Sequence, residues 1–456
     1  MTRETFQNPR VVAAIAAIGL GSVMYDNTAI TTAIPSIQQS LMTETSALQW
    51  ILSAMSVTTG AILPFAGAFG DRWGSLRAFR IGIFIFGLGG LCASQAPTFA
   101  WLLSCRIIQG FGVAFMLPNG GAILSANVDP KFRNKAVGLW ISLSSMGLIL
   151  GPIVGGYLTQ AYDWHAVLWG HPVISLFGLF LTLLLREAKT STSTHSIDVR
   201  GILSVSTATL LFSAGIIDFG SSHPHPFLDC ILILLGIFLY IYFYRVEKSV
   251  EYPLIDTSWF KSRRVRGVLI ACFIYNATIP AATFLVSLLA QKSRGFSPQL
   301  GGAVILAMCM LMPVGAKIIG RVDSQHTLRR AMLWGSLALT FNYIIIAIFA
   351  QSHVVIFFLT LFGAGLCAGV LFSGDTVAIM DSLEPAKTAS GLAALSMVRQ
   401  ISAVIGIALF GTFGEIVAKI SGSVITGHIW GIAISGVVTL LAWFTLKDAL
   451  SLSHRM

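Results

Sequence analysis

Val11-Val12-Ala13-Ala14-Ile15-Ala16-Ala17-Ile18-Gly19-Leu20-Gly21-Ser22-Val23-Met24-Tyr25-Asp26-Asn27-Thr28-Ala29-Ile30-Thr31-Thr32-Ala33 is an apolar run broken by a single carboxylate. About 20 such residues in helical form cross the hydrocarbon core of a bilayer. Arg3 and Arg10 precede the run, and Ala13-Ala14-Ile15-Ala16 resembles a signal-peptide cleavage region. The run continues well past a signal-peptide core, so the stretch is expected to stay uncleaved as a first membrane span with its N-terminus inside.

The same pattern repeats along the chain. The apolar stretches read as fourteen spans at 11–33, 47–69, 78–96, 100–125, 135–160, 165–186, 199–219, 227–246, 266–290, 300–319, 330–350, 354–379, 388–416 and 426–447. Lipid offers the backbone no hydrogen-bonding partner, so many spans imply an all-α membrane bundle. Only 11% of the 456 residues are charged, against about 25% in soluble domains, which excludes a soluble enzyme. The formal charge of +10 sits mostly in alternate loops, at positions such as Arg72, Arg77, Arg80, Lys131, Arg133, Arg186, Arg200, Arg263, Arg264, Arg266, Arg329 and Arg330. The opposite loops carry little beyond Lys292, Arg294 and Lys419. This asymmetry reads as topology, with both termini cytoplasmic, and not as a nucleic-acid footprint.

Two long polar stretches, Lys189–Arg200 and Glu247–Arg266, bracket the seventh and eighth spans. The expected division is therefore an N-terminal six-helix half over 1–190, an inserted helix pair with its linkers over 191–265, and a C-terminal six-helix half over 266–456. A weak internal repeat agrees. Asp129-Pro130 followed by Gly138-Leu139 opens the fifth span, and Glu384-Pro385 followed by Gly391-Leu392 opens the thirteenth. Pseudo-symmetric halves of this kind are a transporter architecture.

Several short patterns carry chemistry. The loop after span two reads Gly67-Ala68-Phe69-Gly70-Asp71-Arg72-Trp73-Gly74-Ser75-Leu76-Arg77. Its glycines permit tight turning, Asp71 suits a helix cap or an arginine pair, and Arg72 and Arg77 hold the loop at the inner surface. Span four contains Arg106-Ile107-Ile108-Gln109-Gly110, an arginine inside lipid that needs a carboxylate, carbonyls or water. Span five contains Gly147, Gly151, Pro152, Gly155 and Gly156. Glycines four apart make a flat face for close helix contact, and Pro152 frees a carbonyl and kinks the helix. Asp26 is an intramembrane carboxylate suited to binding and releasing a proton. Asp375 in span twelve, and Arg399 and Glu415 in span thirteen, are further intramembrane charges.

These patterns resemble the major facilitator superfamily. Gly67-x-x-x-Asp71-Arg72-x-Gly74 matches its loop signature, departing from it at Ser75-Leu76, where basic residues are common. Arg106-x-x-Gln109-Gly110 matches its fourth-span pattern, and Gly147-x-x-x-Gly151-Pro152-x-x-Gly155-Gly156 resembles the motif of its antiport exporters. Tyr25-Asp26-Asn27-Thr28-Ala29-Ile30-Thr31-Thr32-Ala33-Ile34-Pro35 resembles the first-span signature of the fourteen-span drug:proton antiporters, with Tyr25 and Thr31 as departures. Arg399-Gln400 resembles the same family. The resemblance implies an exporter in the inner membrane, driven by the proton gradient without another cofactor, that moves lipophilic or cationic drugs by alternating access. Substrates in that family also include metabolites and siderophores, which leaves a dedicated metabolite exporter as the alternative. An importer and a transport-dead receptor are less favoured, because the exporter motif and the charged residues are present. A monomer in lipid, with protons and a small molecule as partners, is expected.

Other features read as structural. The six cysteines fall within apolar runs without metal-ligand spacing. His223-Pro224-His225-Pro226 reads as a stiff turn rather than a metal site, and Trp164-His165 as an interface anchor. The chain contains no Walker sequence.

Overall fold

The computed structural model describes residues 8–186, 198–219, 221, 224–250, 253, 262–322, 324–382 and 388–449, together with the backbone but not every side chain of some helical positions. Among the described residues, fourteen helices are long and apolar enough to cross a membrane. They are α1 Pro9–Leu41, α2 Thr45–Trp73, α3 Ser75–Ala93, α4 Phe99–Asn127, α5 Pro130–Ala161 and α6 Trp164–Thr182. Then come α7 Val199–Phe219, α8 Pro226–Ser249, α9 Arg263–Ser293, α10 Pro298–Ile319, α11 Gln325–Ile348, α12 Val354–Met380, α13 Thr388–Ser421 and α14 Val424–Ala449. Among the described residues there is no strand.

Every expected span is present, but several bounds differ. The helix α1 continues to Leu41, because neither Pro35 nor the polar residues beyond it break the helix. The sixth span ends at Thr182, short of the expected 186, and is interrupted at Trp169. The helix α9 closes with a π-helical turn at Leu289–Ser293. The tenth span is broken after Cys309 and resumes at Met312, where Pro313 supplies no backbone donor. Side-chain caps mark several starts: Thr98 accepts from the Trp101 amide at 3.3 Å, and Asp163 from Ala166 at 3.2 Å.

The chain divides into two compact units, Met1–Leu41 with Ala54–Ile197, and Met42–Ser53 with Asp198–Met456. In the first unit α1 packs along α5, and α3 lies between α4 and α6. The α1–α5 contact depends on the glycine face. A β-carbon at Gly151 would sit 2.7 Å from the Tyr25 carbonyl oxygen, and one at Gly155 would sit 3.0 Å from the Ala29 Cα. An apolar core formed by Val12, Ile15, Phe79, Phe86, Val113 and Met116 fills the space beside it.

In the second unit α9 packs against α13 and α14, α11 against α12 and α14, and α7 against α8 and α13. The Thr412 hydroxyl donates to the Ile216 carbonyl at 3.0 Å, joining α13 to α7. The fifth helix begins at Pro130, ahead of the expected bound at 135. Its counterpart at Glu384-Pro385 lies outside the described residues.

Candidate functional site

Among the described residues, each unit buries a carboxylate against a guanidinium. In the first, Asp26 on α1 and Arg106 on α4 have no appreciable exposure, at 0% and 1%. Arg106 Nη1 donates to Asp26 Oδ1 at 2.6 Å, and Nη2 donates to Oδ2 at 2.8 Å. The planar guanidinium thus matches both lone-pair edges of the carboxylate. Arg106 Nη1 also donates to Gln109 Oε1 at 3.0 Å, one helical turn further along α4. A buried charge of either sign is costly in lipid, and bidentate pairing is how each offsets the other's desolvation.

A third group completes this cluster. His171 on α6 is 1% exposed, and its Nε2 lies 2.9 Å from Asp26 Oδ1. Its Nδ1 lies 3.1 Å from the Leu168 carbonyl. The imidazole is seated edge-on between the rings of Phe86 and Tyr25. Gly90 makes room for it, since a β-carbon there would press on the His171 ring. The Tyr25 hydroxyl donates to the Val167 carbonyl at 3.4 Å, tying α1 to the first part of α6.

In the second unit Asp375 on α12 is fully buried and bonds to Arg399 of α13. Arg399 Nη2 also donates to the Phe372 carbonyl at 2.8 Å and to Thr376 Oγ1 at 2.9 Å, and the guanidinium stacks on the Phe372 ring with 3.6 Å between centres. The Tyr275 hydroxyl of α9 donates to the other oxygen of Asp375.

The predicted site residues therefore sort into groups. The structure brings Asp26, Arg106 and Gln109 together, and separately Asp375 and Arg399. It does not bring Glu415 to either cluster. Glu415 lies roughly 24 Å along α13 from Arg399 at the helical rise, half-buried and facing Lys292. Gly110 lies where α4 meets α2, a position at which a β-carbon would come within 2.7 Å of the Met55 carbonyl oxygen. Gly147, Gly151, Pro152, Gly155 and Gly156 lie on the second half of α5, and all five are buried.

In the loop motif, Gly70 packs under Asn119 of α4, and Gly74 takes a φ of 107° where α2 turns into α3. That backbone conformation suits glycine. Gly67 is uncrowded, with 3.8 Å from its β-position to Pro118. Arg72 is exposed and stacks over Trp73 at 4.9 Å, and Arg77 is exposed at the start of α3. The side chain of Asp71 lies outside the described residues.

Sequence reasoning missed His171, Tyr275 and Thr376. His171 stands in an apolar run, and the rule that singled out Arg106 would have flagged it as an ionisable group within a span. Tyr275 left no such signal, because tyrosine is ordinary in membrane helices. Asn119 was also missed. It donates to the Ala66 carbonyl at 3.1 Å and so fastens α4 to α2 behind the loop motif.

Fourteen membrane-length helices with charge pairs buried among them are the build of a secondary transporter, which carries its substrate and coupling sites within the bilayer. The chain belongs to the Major Facilitator Superfamily, whose model matches residues 16–407. It is 25% identical over 410 residues to the riboflavin transporter RibZ of Clostridioides difficile, covering 88% of each chain. It is 27% identical over 407 residues to the methylenomycin A resistance protein of Streptomyces coelicolor, covering 87% of this chain and 84% of the relative. Its fold matches the crystal structure of a D-xylose-proton symporter with a TM-score of 0.70 at 12% identity, over 96% of this chain and 97% of the other. The protein is thus a multi-pass membrane transporter of this superfamily.

Proposed function

We propose that this chain is a proton-coupled exporter of small molecules, working by antiport and alternating access in the inner membrane with both termini cytoplasmic. The observation that carries the reading is the buried Asp26–Arg106 pair, an ionisable site set inside membrane-spanning helices. A proton arriving from outside changes the charge of this cluster, or of the Asp375–Arg399 cluster. That change alters the cost of burial and biases the conformational equilibrium. The membrane potential contributes about 2.3 kcal/mol per charge per 100 mV. Direction rests on the Gly-Pro motif of α5 and on the resistance function in the methylenomycin relative's name. Lipophilic cations are the first substrate class to test.

A dedicated metabolite exporter is the second reading. Both site carboxylates already face a guanidinium, which favours a substrate that is not a simple cation, and one relative is a riboflavin transporter.

The test uses inside-out membrane vesicles from cells expressing the protein. Energised vesicles should accumulate ethidium under the first reading, or riboflavin or another metabolite under the second, and a protonophore should abolish the uptake. Accumulation only in right-side-out vesicles would make the protein an importer. Uptake indifferent to the protonophore would remove proton coupling.

A further inference from the structure

We infer that Arg399 binds an oxyanion of the exported compound, a carboxylate or a phosphate, through the two guanidinium nitrogens that the protein leaves unbonded. This takes the export reading above as given and names the chemical class of its substrate.

Asp375 does not use up the donors of Arg399. The bonds to Asp375, to the Phe372 carbonyl at 2.8 Å and to Thr376 Oγ1 at 2.9 Å all come from a single nitrogen, Nη2. Arginine carries N–H donors on all three of its nitrogens. Among the described residues Nη1 and Nε of Arg399 meet no acceptor, and Nε is a buried atom. Leaving a buried donor without an acceptor costs about 1–3 kcal/mol, and more for a charged group. The side chain is 15% exposed, so this side of the guanidinium is not sealed. Arg106 is the contrast. It is 1% exposed and engages Asp26 with both terminal nitrogens, which leaves it closed to a ligand in this state.

A cation finds no comparable opening in either cluster. Asp26 Oδ1 and Oδ2 each accept from Arg106. Asp375 Oδ1 accepts from Arg399 and, at 3.3 Å, from Thr376, while Oδ2 accepts from Tyr275. What the second cluster offers is donors, and an oxyanion makes the strongest bonds to a guanidinium. The group is also held ready. The Phe372 ring lies against the guanidinium at 3.6 Å between centres, so little side-chain freedom remains to be lost on binding. Asp375 stands roughly 8 Å before the end of α12 at Met380, and Arg399 the same distance after Ala394, where the apolar run of α13 starts. With both termini cytoplasmic these are the inner ends of the two spans, the side from which an exporter loads.

The test is calorimetric titration of the full-length protein in phosphatidylcholine nanodiscs with naphthoate and naphthamide, which share a ring system and differ in charge. The wild-type protein should bind the acid more tightly than the amide by about tenfold or more, as expected for a bond to a charged group. Arg399→Gln should lose that preference and keep its affinity for the amide. The double variant Arg399→Gln with Asp375→Asn strands no buried charge and should behave the same way. A purely structural role for Arg399 would weaken both ligands together. Equal wild-type affinity for the two ligands, no binding of the acid, or a preference that survives in the double variant would each overturn the inference. So would a preference that vanishes when phosphatidylglycerol replaces phosphatidylcholine, since the open nitrogens would then belong to lipid headgroups. Proton flux in proteoliposomes separates this from the underlying reading. Acid preference in a protein that moves no protons leaves the oxyanion site standing and removes the coupling. Proton-coupled export of ethidium by a protein without acid preference removes the site and leaves the coupling.

Discussion

Arg106 grips both oxygens of Asp26 at 2.6 and 2.8 Å, with neither side chain reaching the surface. The first and fourth helices are thereby joined by a contact that neither partner can give up alone. Truncating one member of such a pair strands the other charge in a low-dielectric interior, and that is where the cost lies.

Asp26→Asn should lower stability by about 3–5 kcal/mol, as expected for breaking a buried pair from one side. The double variant Asp26→Asn with Arg106→Gln should unfold at a higher temperature than Asp26→Asn alone. Thermal unfolding of the three proteins in one detergent checks this, and strictly additive losses would show that the pair is not coupled.

The second cluster offers a finer probe. Tyr275→Phe removes one hydroxyl donor to Asp375 and leaves the ring in place, at a cost of about 1.5–3 kcal/mol for a bond to a charged group. Arg399→Lys keeps the charge but loses the stack on Phe372 and the simultaneous bonds to Phe372, Thr376 and Asp375. Transport by Arg399→Lys should fall by about tenfold or more with expression preserved. Initial-rate uptake normalised to protein in the membrane is the measurement.

Much of this was legible in the sequence, for identifiable reasons. Hydropathy gave fourteen spans because lipid allows each segment only one regular structure. Arg106 and Asp26 announced themselves because a charge in an apolar run must be paired. That Arg399 answers Asp375 rather than Glu415 was not legible, since all three lie within spans and only the packing of α12 on α13 selects the partner. The breaks at Trp169 and after Cys309 were hidden for a similar reason, because hydropathy continues unchanged across them. His171 was legible by the same rule as Arg106, as an ionisable group within a span, but its pairing with Asp26 was not, since only the packing of α6 on α1 brings the two together.

The glycine face of α5 should tolerate no enlargement. A β-carbon at Gly151 meets the Tyr25 carbonyl oxygen at 2.7 Å, and one at Gly147 meets the Tyr25 amide at 2.9 Å. Backbone atoms cannot step aside as a flexible side chain can. Gly151→Ala should therefore cost about 1–3 kcal/mol by overpacking. Gly67→Ala, with 3.8 Å to its nearest neighbour, should leave stability unchanged. Equal losses at the two positions would contradict the packing of α5 on α1.

Arg80 ties α3 to the end of α6, donating to the Thr182 hydroxyl at 3.1 Å and to its carbonyl at 2.7 Å. Arg80→Met keeps much of the apolar stem and removes both bonds. Amide exchange at the last turn of α6 should accelerate, with a local loss of about 1–3 kcal/mol. Unchanged exchange there would show that the turn is held by packing alone.

The most direct test of proton-coupled export is made with the purified protein in liposomes that enclose a pH-sensitive dye. A proton gradient is imposed, and ethidium and then a panel of anionic metabolites are added. Proton movement should begin only when a transported compound is present, and it should disappear in Asp26→Asn. Compound-dependent transport with no accompanying proton movement, or an Asp26→Asn protein with undiminished flux, would contradict the account.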